Sequence, residues 1–113
     1  NYNLSNFQKS LEVLREINFE LEQRDNEESF LKDLSRLRLS LFLISENQIN
    51  EALEILNRDF TFFEELKYEF LGDAELKSSD QEAARKNYET ALQLSSSEIH
   101  KELIKIKLSS IIN

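Results

Sequence analysis

Tyr68-Glu69-Phe70-Leu71-Gly72 is followed, twelve residues beyond its glycine, by Ala84-Arg85-Lys86-Asn87-Tyr88 and then by Ala91. Steps of three and four put Tyr68, Leu71 and Gly72 on one face of a helix, and Ala84, Tyr88 and Ala91 on one face of the next. Glycine and alanine at such positions let two helices cross closely, and the large side chains fill the space beside the crossing. The same grammar occurs upstream: Arg36-Leu37-Arg38-Leu39-Ser40 ends on a small residue, and Ala52-Leu53-Glu54-Ile55-Leu56 begins twelve residues later. Ala52 and Ala84 are 32 residues apart, which sets a repeat. Working outward, Ser10-Leu11-Glu12-Val13-Leu14 matches the Ala52 segment class by class. Lys105-Ile106-Lys107-Leu108-Ser109 ends on a small residue as the Arg36 and Tyr68 segments do.

Composition agrees with an all-α fold. The 113 residues contain one glycine and no proline, so the turn chemistry of hairpins is nearly absent. Polar clusters at 22–26, 45–48, 57–59, 78–80 and 95–97 separate six helices. The first has Ser5 with Gln8 three residues on, and the second, over about 27–44, has Asn26 as its cap. The third covers about 48–56, and the fourth is expected to open at Thr61 with Glu64 completing a capping box. Asp80 caps the fifth, and Ser96 or Ser97 the sixth. The predicted architecture is one helical solenoid: half a repeat (5–21), two repeats (27–57 and 61–94) and a closing helix (97–112).

The chain has no cysteine and a single histidine, His100, which excludes zinc-ribbon, iron–sulfur and thiol chemistry. There is no glycine-rich phosphate loop and no acid–base motif, so neither an enzyme nor a cofactor is expected. A net charge of −8, from 14 basic and 22 acidic residues, has the wrong sign for nucleic acid or an anionic membrane. No apolar run approaches the roughly 18 residues of a membrane span. The chain begins at Asn1 and contains no methionine. It is expected to be a processed or excised piece, with any anchor upstream.

The spacing of Tyr68, Leu71, Gly72, Ala84, Tyr88 and Ala91 resembles the tetratricopeptide repeat, a helix pair of about 34 residues with an aromatic, Leu-Gly, and Ala-x3-aromatic. Glu75, Ser96 and Arg36 depart from it, standing where an aromatic, a proline and an aromatic are expected. Residues 29–113 are further similar to the C-terminal part of the YfgM-like ancillary subunit of the bacterial Sec translocon. That similarity rests on Leu37-Arg38-Leu39, Asn50-Glu51-Ala52-Leu53, Glu69 to Ala74, Ala83-Ala84-Arg85, Tyr88, Ala91-Leu92 and the ending Ile106-Lys107-Leu108. It implies a membrane-tethered repeat domain on the periplasmic side of the inner membrane, with the translocon or periplasmic chaperones as partners. A generic tetratricopeptide adaptor, cytoplasmic or not, is the other reading.

Such repeats present a groove along the first helix of each pair. Leu37, Leu41 and Ile44 form a stripe that either lines the groove or packs on neighbouring helices. Glu69 and Asp73 occupy the positions equivalent to Leu37 and Leu41. In repeat domains that clamp a carboxylate tail these positions carry Lys and Asn, so an acidic-tailed ligand is disfavoured. Leu39, Ser40, Ala52, Tyr68, Leu71, Gly72, Ala84, Tyr88 and Ala91 are assigned to packing between helices. Residues 46–82 hold 11 acids and 3 bases, which accounts for the whole net charge. The segment is either a solvated face or a steering surface for a basic partner. Phe60, Phe62 and Phe63 read as a staple with core contacts, or else an exposed patch. His100 reads as a surface or structural residue. The terminal helices carry more apolar surface than one contact needs, so self-association, including a homodimer, is expected.

Overall fold

The computed structural model describes residues 2–24 and 28–111, and among them it holds six helices and no strand: α1 (Tyr2–Glu22), α2 (Ser29–Ser45), α3 (Ile49–Leu56), α4 (Glu64–Lys77), α5 (Gln81–Leu94) and α6 (Glu98–Ser109). Each helix packs on the next, and α2 also touches α4, so the first helices of successive pairs lie side by side. That is the all-α solenoid order of a half repeat, two pairs and a closing helix.

The expected joints differ in detail. α1 begins at Tyr2, which places Ser5 inside the helix instead of at its cap. Asn26 lies outside the described residues. Asp80 does cap α5, its carboxylate accepting from the Ala83 N–H at 3.2 Å, and Ser97 caps α6 by accepting from the His100 N–H at 3.2 Å. The fourth helix departs most: it starts at Glu64, and Phe63 sits before it in the left-handed region with φ 63°. The reason lies on α2. The buried Asp33 carboxylate accepts from the Thr61 and Phe62 N–H groups at 2.9 and 2.7 Å, so the loop is pinned sideways and Thr61 has no cap to make.

The turns inside the two pairs are copies of one another. Asn47 (φ 61°) and Ser79 (φ 66°) are the left-handed residues, 32 apart. Gln48 N–H donates to Leu43 O at 2.7 Å and Asp80 N–H to Glu75 O at 2.9 Å, the six-to-one bond that closes a helix on a left-handed residue. The constant twelve-residue spacing from Ser40 to Ala52 and from Gly72 to Ala84 follows from this shared turn.

The core forms two clusters. Leu11, Leu37, Leu39, Leu43, Ile44, Ala52, Ile55, Leu56, Leu71 and Ala74 make the larger, and Ala84, Tyr88, Ala91, Ile104 and Ile111 the smaller, with the half-buried Tyr68 against both. Ser40 and Gly72 are also buried. At the α4–α5 crossing a Cβ on Gly72 would stand 2.6 Å from Tyr88 Cε1 and 2.8 Å from Cδ1, so the tyrosine ring lies directly on the glycine. One repeat earlier the equivalent pair is Ser40 and Leu56, both fully buried. A leucine leaves room for a Cβ where a tyrosine ring does not. The Ser40 hydroxyl, however, has no hydrogen-bond partner. Ser40→Ala is therefore expected to stabilise the fold by about 1 kcal/mol, because an orphaned buried hydroxyl is removed and helix propensity improves. Urea denaturation followed by circular dichroism checks this; a loss of stability would mean the hydroxyl has a partner after all.

Candidate partner-binding face

The first helices α2, α4 and α6 form one face of the solenoid. At α2 the expected stripe divides: Leu37 and Ile44 are buried in the larger core, whereas Leu41 is 52% exposed beside the exposed Arg38. An arginine and a leucine three residues apart share a helix face. Only Leu41 of the three thus remains available to a partner.

At α4 the acidic pair is closed by the chain itself. Lys107 Nζ on α6 donates to Glu69 Oε2 at 2.6 Å and to Asp73 Oδ1 at 3.0 Å. His100 Nε2 lies 2.6 Å from Glu69 Oε1, and its Nδ1 3.4 Å from Glu65. The Tyr88 hydroxyl donates to Asp73 at 2.5 Å. Glu69 is a buried residue bonded to Lys107 and His100, not an open groove charge. Burial opposes its ionisation, but the hydrogen bonds from Lys107 and His100 outweigh that and hold its pKa below the ordinary glutamate value. The Glu69 hydrogen bond in turn raises the His100 pKa against a smaller desolvation effect. Burial pushes Tyr88 well above the ordinary phenol value, and the bond to Asp73 adds to it.

Other carboxylates of the 46–82 segment are answered too. Arg15 of α1 makes a two-pronged bond to Glu51 at 2.6 and 3.0 Å, Arg58 pairs with Glu54, and Glu75 accepts from Asn87 at 2.6 Å. The charge imbalance read along the chain is thus compensated in part from outside the segment, by α1 and α6.

A second polar cluster, which sequence reading missed, joins α1, α2 and the α3–α4 loop. Glu22 accepts from Arg36 Nε and Nη2, both at 2.7 Å, from Arg58 at 3.0 Å and from Asn18 at 3.1 Å. Arg36 also reaches Asp33 at 3.2 Å and stacks 5.4 Å from the centre of the Phe60 ring. Asn18, buried, donates to Ser35 Oγ at 2.9 Å. Arg36 stands where the repeat pattern wants an aromatic, and this is what replaces it: a guanidinium whose fork binds a carboxylate and whose face covers a ring. The departure at Arg36 was the one visible signal; Glu22 lies 14 residues from Arg36 and 36 from Arg58, and no local spacing points to those pairings.

The phenylalanines divide among these roles. Phe60 lies under Arg36 and Lys67, and Phe63 packs tilted on Phe30 at 5.1 Å while Phe62 meets Phe30 edge-on at 5.5 Å. A cleft of about 320 Å³ between α1 and α3 is lined by Arg15, Asn18, Glu22, Glu51, Glu54 and Arg58, all engaged with one another. Among the described residues no three His, Cys, Asp or Glu side chains are grouped to hold a metal ion, and no helix is long and apolar enough to cross a membrane.

Paired helices in a 32-residue period, crossing on small residues and lined up by their first members, define a helical-repeat interaction domain. The chain belongs to the tetratricopeptide repeat-like domain family, whose family model matches residues 8–113. Domains of this family are in general protein–protein interaction modules without catalytic activity, and nothing in the site points to catalysis. Neither the curated proteins nor the solved structures compared with the chain give a match.

Proposed function

We propose that this domain is a docking scaffold for a protein segment that offers an apolar side chain, and that it serves as the periplasm-facing part of a membrane-tethered ancillary subunit of the translocon, or of a chaperone-docking assembly. The observation that carries the docking reading is Leu41, exposed on α2 one turn from the exposed Arg38 and at the position equivalent to Asp73 of α4. The resemblance of residues 29–113 to the YfgM-like ancillary subunit supports the translocon assignment and the location on the periplasmic side of the inner membrane. The closed state of Glu69 and Asp73 argues for an apolar anchor over a strongly basic one, because a lysine ligand would have to displace Lys107.

A photo-crosslinking residue at Leu41 in the protein expressed at its natural level tests the proposal. Crosslinks to translocon subunits or to a periplasmic chaperone, lost in Leu41→Asp studied by co-purification, are the expected result. Labelling only of cytoplasmic proteins would overturn the location, and an unchanged partner set in Leu41→Asp would overturn the groove. Leu41 is half-exposed, so the fold is expected to survive either substitution.

A further inference from the structure

His100 has a carboxylate at each end of its ring. Nε2 lies 2.6 Å from Glu69 Oε1 and Nδ1 3.4 Å from Glu65 Oε1, both on α4. A neutral imidazole has one N–H and one lone pair, so it would turn the lone pair on one of these carboxylates. Only the imidazolium has a donor for each. We propose that His100 is a proton-operated latch: its imidazolium clamps the first half of α6 onto α4, and loss of the proton as the pH rises frees that half and opens Glu65 and Glu69 to water.

The second half of α6 is held by other means. Ile104, the buried residue of the helix, joins Ala84, Tyr88 and Ala91 in the smaller core, and Leu108 packs against it. Lys107 adds its bonds to Glu69 and Asp73. Before Ile104, among the described residues, the side-chain contacts that bind α6 to α4 are those of His100. Lys101 turns to Glu98 of its own helix instead. On the α4 side, Glu65 gains by release once the ring is neutral. Its Oε2 is buried without a hydrogen-bond partner, and His100 is the group that faces its Oε1. A half-buried carboxylate left unanswered in this way is relieved by opening to water.

A histidine is the side chain placed to change charge near neutrality. The Glu69 hydrogen bond raises His100 above the ordinary 6.5 against a smaller desolvation effect, and the Glu65 charge adds to the rise. Its neighbours in the cluster keep their state there. Burial opposes the charges of Glu69 and Lys107, but their bond to each other, with those to His100 and Asp73, outweighs it: Glu69 is held below 4.5 and Lys107 above 10.5. Tyr88 of α5, whose ring lies 5.9 Å from Lys107 Nζ and whose hydroxyl is on Asp73, is pushed above the phenol range by burial. The direction follows from the raised histidine. The clamp is complete below pH 6.5 and is lost as the pH climbs through the raised value. Its acid limit is set by Glu69, whose contribution is present above pH 4.5 and lost as the pH falls through its lowered value.

The chain has a single histidine, so its ring signals are unambiguous. Nitrogen NMR of the 113-residue chain between about pH 5 and pH 9 reads the protonation of both ring nitrogens and the titration midpoint. Amide hydrogen exchange over the same range, corrected for intrinsic rates, reads the opening of α6. The expected ring carries a proton on each nitrogen at the acid end and titrates with a midpoint above 6.5. Protection of the amides of residues 101–104 should then fall by about tenfold for every pH unit by which that midpoint exceeds the ordinary 6.5. The amides of α2, α3 and α5 should keep theirs, which also shows in each variant that the fold is intact. His100→Gln, never charged, should exchange in residues 101–104 at every pH as wild type does at the alkaline end. Glu65→Gln, which keeps the shape and removes one flanking charge, should lower the midpoint. A midpoint at or below 6.5 in wild type overturns the latch, and so does one that Glu65→Gln leaves unchanged. Protection that ignores pH in wild type, or follows it equally in His100→Gln, overturns it as well. Leu41 enters none of these measurements, so their outcome is independent of the docking proposal.

Discussion

Gly72→Val should lower the unfolding free energy by about 3 kcal/mol, toward the upper end of the range for overpacked cores. The added Cβ would fall 2.6 Å from a ring atom of Tyr88 and 2.9 Å from Cζ. The ring has little room to retreat, because it is fully buried and its hydroxyl is tied to Asp73. Gly72→Ala already creates the clash, so its loss is expected to exceed the gain of about 1 kcal/mol that alanine brings to a helix interior. The informative companion is Gly72→Ala with Tyr88→Leu, which recreates the Ser40–Leu56 type of crossing. It should cost less than the sum of the two single changes, the non-additivity expected of side chains in contact. Urea titrations of the four chains measure it. If Gly72→Ala alone is stabilising, the ring can move and the explanation of the glycine fails.

The second large effect concerns Glu22. Glu22→Ala should cost about 3 kcal/mol, because it removes the two-pronged carboxylate from the nearly buried Arg36 guanidinium and leaves it only the single carboxylate bond to Asp33. The hydrogen bonds from Arg36 lower the Glu22 pKa from 4.5 to about 2, against the opposing effect of burial. The sign follows from that depression. Above pH 4.5 the carboxylate is ionised whether folded or not, and its contribution is fully present. As pH falls from 4.5 toward 2 the unfolded chain takes up the proton first, and the contribution is lost, up to about 3 kcal/mol by linkage. Melting temperatures of wild type and Glu22→Gln between pH 7 and 2.5 check this. The wild type should be the more stable at neutral pH, and the gap should narrow on acidification. A gap that stays constant would assign the effect to packing alone.

What could be read beforehand depended on the range of the interaction. The solenoid follows from spacings internal to a helix pair, such as Gly72 to Ala84, and those are local and periodic. Caps at Asp80 and Ser97 are equally local. The start of α4 was misread because its determinant, Asp33, lies 28 residues upstream and is invisible to a capping pattern. The groove suffered the same way. Leu37, Leu41 and Ile44 share a stripe in sequence, but packing in the larger core buries Leu37 and Ile44 and leaves Leu41 exposed. Glu69 and Asp73 look unpaired along the chain because their partners His100 and Lys107 are on α6, 31 to 38 residues away. Repeat alignment held the missing signal: His100 and Lys107, seven apart, lie on the α6 face that corresponds to the α4 face packed on α2.

The matching of small to large at each crossing also governs how such a chain can be recombined. Ser40 and Leu56 form one pair, Gly72 and Tyr88 the other, and the two pairs are not interchangeable. A seam placed in the loop between α3 and α4 keeps each pair on one side and can join repeats from different ancestors. The left-handed turns at Asn47 and Ser79 make tempting seams because their geometry is identical in kind, yet a cut there separates the partners. One hybrid would set a serine under a tyrosine ring and the other a glycine beneath a leucine, a clash and a void. Inheritance in this fold should therefore follow the crossing pairs and not the turns.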